Sequence, residues 1–106
     1  MMNLYILDKN HNPVPCSDDN ITIWGENLKA NRFIKQETTP TGYYVSTIFL
    51  GIDHSFNEGG KPILFETMVF PPTEDGKKGA EEEMKRYATW DEAIQGHKDL
   101  VLLYSI

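Results

Sequence analysis

An antiparallel α+β domain is the architecture this sequence predicts: a sheet of four or five strands packed against a C-terminal helix, with a weaker N-terminal helix. Three observations carry that reading. Residues 45–52 (VSTIFLGI) and 63–70 (ILFETMVF) are apolar runs of strand length on either side of a polar loop. Thr39-Pro40-Thr41-Gly42 is a turn signal just ahead of the first run, because Pro40 presets the first turn angle and Gly42 accepts a left-handed backbone. Thr89-Trp90-Asp91-Glu92 is a capping box, and Trp90, Ala93, Ile94, His97, Val101 and Tyr104 follow it on one helical stripe.

At 106 residues the chain is expected to form one domain, residues 1–106. Folding at this length buries roughly 65% of the extended-chain surface, enough for one core without staples. Hydrophobic residues at 40% and charged residues at 25% are those of a globular protein. Cys16 is the single cysteine, so no intramolecular disulfide forms, which suits a reducing cytoplasm. No apolar run approaches the ~18 residues of a membrane span, and the start, MMNLYILDKN, meets charge too early for a signal peptide. A net charge of −6 repels phosphate backbones, so nucleic acid is not an expected partner, and without an apolar span neither is a membrane. That charge serves solubility first, and steering toward a basic surface second.

Taken in order, residues 4–7 (LYIL) read as a strand. Residues 11–20 (HNPVPCSDDN) read as an extended loop, since two prolines two apart are excluded from helix interiors and central strands. Ser17, Asp18 and Asp19 are N-cap candidates for a short helix to about residue 30, with Ile21, Trp24 and Leu28 at helical spacing. Gly25 and the β-branched pair Ile21 and Thr22 weaken it. Residues 32–37 read as a strand that turns at residues 39–42 and returns antiparallel through residues 43–52.

On the returning strand Tyr43, Val45, Thr47 and Phe49 share one face, and Tyr44, Ser46, Ile48, Leu50 and Ile52 the other. Both faces are apolar near its end, which predicts a central strand covered on both sides. Residues 63–70 alternate likewise, with Glu66 on the Leu64, Met68 and Phe70 face. Residues 73–83 (TEDGKKGAEEE) read as a charged surface loop and residues 84–88 as an edge strand. Gly96 costs the last helix about 1 kcal/mol against alanine, so a close approach is expected there.

Three strings are distinctive: VSTIFLGIDHSF at 45–56, ILFETMVF at 63–70 and RYATWDEAIQGHKDLV at 86–101. Together they resemble a family of small uncharacterised proteins of tailed bacteriophages and prophages, with the pattern FLGxDH, FETMVF and TWxEAxxGH. The resemblance spans about residues 43–101. It implies a phage genome as the source and names no activity. Small phage proteins often inhibit host proteins, defence systems among them, and that warrant is associational.

Asp53, His54, Glu66, Trp90 and His97 are the candidate binding residues. If the last helix packs on the face bearing Glu66, a Glu66–His97 pair forms at the sheet–helix boundary. A divalent metal site would use the imidazoles and carboxylates of Asp53, His54, Glu66 and His97. Their spacing matches no tight motif, so a satisfied buried pair is the preferred reading, with Arg32, Arg86 or His97 serving Glu66. Cys16 with His11 lacks a nucleophile signature, and Gly59-Gly60-Lys61 lacks the helix that a phosphate loop requires.

Two functions therefore stand. The first is a non-catalytic inhibitor that binds a host protein in the bacterial cytoplasm, with no cofactor and with a homodimer as an option. The second is a small metal- or nucleotide-binding enzyme built on Asp53, His54, Glu66 and His97. A virion assembly role, with dimerisation through a sheet edge, is a third. The exposed contact candidates are the loops at residues 53–61 and 73–83.

Overall fold

A computed structural model describes residues 3–55, 60–75 and 79–106. Phe56, Gly59 and residues 76–78 of the acidic loop, on which parts of the sequence reading fall, lie outside it. The described chain is α+β. Strands β1 (Leu4–Leu7) and β2 (Pro13–Cys16) form a hairpin, and helix α1 spans Ile21–Asn31. Strands β3 (Phe33–Thr38), β4 (Tyr44–Phe49), β5 (Phe65–Phe70) and β6 (Glu83–Tyr87) make an antiparallel sheet in that order, and helix α2 spans Trp90–Leu103.

Strand β2 corrects the loop expected at residues 11–20. Asp8 opens the hairpin turn: its Oδ1 accepts from the Asn10 and Asn12 amides at 2.8 and 2.9 Å, and its own amide donates to Asn12 O at 3.0 Å. That last bond places the backbone groups of residues 12, 14 and 16 toward β1. Pro13 and Pro15, opposite Leu7 and Tyr5, therefore lack their N–H on the outer edge, where none is needed. The prolines also blunt that edge against further pairing. The hairpin is tied to the end of the β4 run by a Leu4–Ile52 bridge and by Tyr5 N donating to Gly51 O at 2.9 Å.

Helix α1 is held by few contacts. Trp24 anchors it through an indole N–H bond to Gly51 O at 2.9 Å, and Asn27 exchanges two bonds with the Leu7 backbone. Leu28 packs on the core, whereas Ile21 is exposed and not part of a buried stripe. Gly42 takes φ 95° as the turn requires, and its amide donates to Thr39 O at 2.9 Å.

The register pairs Val45 with Val69, Thr47 with Thr67 and Phe49 with Phe65, all buried on the face that α2 covers. Two clusters make the core. One joins Leu7, Phe49, Leu64, Phe65 and Ala93; the other joins Val45, Val69 and Leu100. Leu100, absent from the stripe read in the sequence, is one of its buried members. The α2 cap forms with one change. Thr89 Oγ1 accepts from the Glu92 amide at 3.1 Å as expected, while the Glu92 carboxylate accepts from the Thr89 hydroxyl at 3.0 Å instead of reaching the cap amide. Thr89→Ala is expected to lower stability by about 1 kcal/mol, read as a reduced urea midpoint with an unchanged slope.

One expectation about β4 fails. The strand is central, but only its Val45, Thr47 and Phe49 face is covered. Tyr44, Ser46 and Ile48 are half-buried, and none of them joins either core cluster. Helix α2 supplies one apolar stripe, and it can cover one face only.

Candidate functional site

The helix-covered face contains a continuous polar chain. His97 lies on α2 and is 0% exposed. Its Nε2 sits 2.7 Å from Glu37 Oε1 on β3, and its Nδ1 sits 2.6 Å from Thr47 Oγ1 on β4. Thr47 Oγ1 is in turn 2.6 Å from Thr67 Oγ1 on β5. A carboxylate can only accept, which orders the whole chain. His97 Nε2–H donates to Glu37, the Thr47 hydroxyl donates to Nδ1, and the Thr67 hydroxyl donates to Thr47. Burial pushes the His97 imidazole below its ordinary range, and the bond it donates to Glu37 opposes that shift without cancelling it.

Carboxylate, imidazole and hydroxyl in this order are the parts of an activated nucleophile. Here they do not act as one. Thr47 and His97 are both 0% exposed, so no substrate reaches the hydroxyl. The chain instead gives the buried polar atoms of His97, Thr47 and Thr67 hydrogen-bond partners from β3 across to β5, whereas the buried Tyr87 hydroxyl on β6 has none among the described residues.

The Glu66–His97 pair expected from the sequence does not form. Glu66 alternates with Phe65 and Thr67 and so faces away from α2. It is only 4% exposed, and its Oε2 takes Arg86 Nε at 2.9 Å across the β5–β6 ladder. Arg86 is one of the partners the sequence offers for Glu66. His97 takes Glu37 because α2 lies on the opposite face.

Asp53 and His54 follow the Ile52 bridge, at the end of the central run. Asp53 acts as a loop clamp. Oδ1 accepts from the Ser55 and Ile63 amides at 2.8 and 2.9 Å, and Oδ2 accepts from the Ser55 hydroxyl at 3.1 Å. Partial burial pushes its carboxyl up, but these bonds outweigh that and hold it below the usual carboxylate range. His54 Nδ1–H donates to Ile52 O at 2.7 Å. Trp90 stacks on His11 with centroids 3.9 Å apart and meets Phe65 edge-on at 6.3 Å, so it joins the hairpin turn to the core. Among the described residues no group of three His, Cys, Asp or Glu side chains converges as a metal site would need.

The other face of the sheet is open. It carries Phe33 at 68% exposure and Met84 at 40%, with Tyr44, Ile48, Met68 and Phe70 half-buried. Arg32, Phe33, Ile48, Glu66, Met68 and Phe70 line a groove of ≈ 170 Å³ on it. The Arg32 guanidinium lies 5.9 Å from the centre of the Phe33 ring. The sequence reading of residues 32–37 as a strand does not by itself reveal this surface. The usable signal was the Phe33, Ile48, Met68, Phe70 and Met84 set, one per alternate position on four strands.

Compared with known proteins, the chain matches no family model, no curated protein and no solved structure. Among the described residues no helix is long and apolar enough to cross a membrane.

Proposed function

We propose that this chain is a small non-catalytic binding protein, of tailed-phage or prophage origin, that inhibits a host defence protein in the bacterial cytoplasm by docking through the open face of its sheet. One observation carries the reading: a sheet face with six large apolar side chains, two of them exposed, that belongs to neither core cluster. Contiguous apolar surface of this kind marks interaction sites. The partner's chemistry follows from the rim. Arg32 and Arg86 are the cations beside the groove, and Glu66 offsets one of them. A protein surface with an apolar centre and flanking carboxylates fits best. The FLGxDH, FETMVF and TWxEAxxGH strings support the phage origin. In the most triad-like arrangement among the described residues the imidazole and the hydroxyl are fully buried, which supports binding over catalysis.

The test is a set of bacterial strains, each carrying one defence system, challenged with phage while expressing the protein. Wild type is expected to restore plaque formation in at least one strain. Phe33→Asp with Met84→Asp is expected to lose that effect by about tenfold or more, the consequence of removing ~1.4 kcal/mol of hot-spot binding. Its melting temperature stays near wild type, since both side chains are exposed. A wild type inert in every strain, or a double variant as active as wild type, overturns the reading.

A further inference from the structure

We propose that two copies of this chain pair through the free edge of β3, antiparallel, with Gln36 opposite Gln36 on a twofold axis. The inference rests on the backbone of that edge and does not depend on what docks on the open face.

Strand β3 is an outer strand of the four-stranded sheet. In an antiparallel ladder, alternate residues turn their backbone groups toward alternate neighbours. Thr39 N donates to Tyr43 O at 2.8 Å, and the register continues Glu37↔Val45 and Lys35↔Thr47. Residues 35, 37 and 39 therefore address β4. Gln36 and Thr38 turn their N–H and C=O groups outward, where among the described residues the sheet has no further strand.

A second β3 can use those groups only if outward residues meet outward residues, so the axis must pass through a residue. Centring on Gln36 lets the two Gln36 backbones exchange both hydrogen bonds. Lys35 then lies opposite the partner's Glu37, and Glu37 opposite the partner's Lys35. Both fall at non-hydrogen-bonded positions, where facing side chains come closest. Shifting the axis by one residue sets Lys35 against Lys35 or Glu37 against Glu37, so charge selects the Gln36 register.

The side chains are available for this exchange. Lys35 and Glu37 are 48% and 38% exposed and already meet at 3.7 Å within one chain. Glu37 receives both His97 and Lys35 on Oε1, so neither contact uses Oε2. A lysine on an edge strand ordinarily blocks pairing. Here a carboxylate two residues on turns that block into a choice of register. The irregularity between Phe33 and Lys35 confines the pairing to the second half of β3, so the association is weak and concentration-dependent.

The other edge, β6, has a similar alternation in Glu83, Met84 and Lys85. Its Glu83, however, commits Oε1 to the Tyr104 hydroxyl at 2.7 Å and Oε2 to Lys85 at 3.8 Å. That difference favours β3 and supplies the control. Sedimentation equilibrium of the full chain across a concentration series is expected to show mass rising toward twice the monomer. Lys35→Glu sets carboxylates against each other across the axis and is expected to leave monomer at every concentration. Lys85→Glu makes the same change of charge at the other edge and is expected to associate as wild type does. A monomeric wild type overturns the proposal. So does association that survives Lys35→Glu, or that Lys85→Glu abolishes.

Discussion

His97→Ala is expected to lower unfolding free energy by about 3 kcal/mol, within the range for emptying a fully buried site. Two costs combine. The imidazole leaves a void between β3, β4 and α2, and Thr47 keeps a buried hydroxyl whose acceptor is gone. Glu37 suffers less, because it reaches solvent at the sheet edge. Urea titration reads the effect, and a loss below about 1 kcal/mol would mean that the chain of bonds is incidental to folding. The same residue sets a pH dependence. Burial lowers its pKa from the ordinary value of 6.5, so the unfolded state takes up the proton first. Stability is then full above about pH 6.5 and falls as the pH drops below it. The groups facing the imidazole are Glu37, Lys35 and Thr47. Wild type is expected to lose stability between neutral pH and pH 5 more steeply than His97→Ala, which lacks the titrating group. Parallel curves for the two proteins would falsify the assignment.

What could be read from the sequence depended on whether the signal was local. The Thr89–Glu92 cap, the Gly42 turn and the alternation along residues 45–52 each lie within one short window. All three appear in the structure with small shifts of boundary. The hairpin strand at residues 13–16 departs from the expected loop because prolines are tolerated on the outer edge of a sheet. Two prolines of the same parity put both missing donors on one side, and that side is outside the sheet.

The candidate site was less legible, and for a geometric reason. Residues 63–70 are apolar on both faces, so alternation separates Glu66 from Phe65 without saying which of them faces α2. That choice belongs to the path of the chain through β6, with an irregular step where Glu82 N joins Val69 O. Glu37 gave no sign at all. Between Lys35 and Thr38 it reads as an ordinary solvent-facing charge, and only the arrival of α2 gives it His97. Thr47 and Thr67 each stand as the one threonine at the centre of a helix-facing row.

Gly96→Ala is expected to destabilise the protein although alanine is the better helix former. The propensity gain is about 1 kcal/mol. Against it, a Cβ at Gly96 would stand 2.2 Å from the Tyr87 hydroxyl oxygen and 2.4 Å from two ring carbons. Tyr87 cannot simply swing aside, because its ring packs on the core cluster with Leu7, Phe49 and Phe65. Overpacking of this kind costs about 1–3 kcal/mol, and contacts this short belong at the upper end. The expected net loss is therefore ~2 kcal/mol. The background decides the cause. Tyr87→Leu keeps apolar bulk on β6 and removes the atoms in conflict, so adding Gly96→Ala to it is expected to raise stability by up to about 1 kcal/mol. That reversal of sign is what a direct contact predicts. Equal losses in both backgrounds would place the cost in the helix itself, and the close approach of β6 to α2 would then not be the reason for glycine.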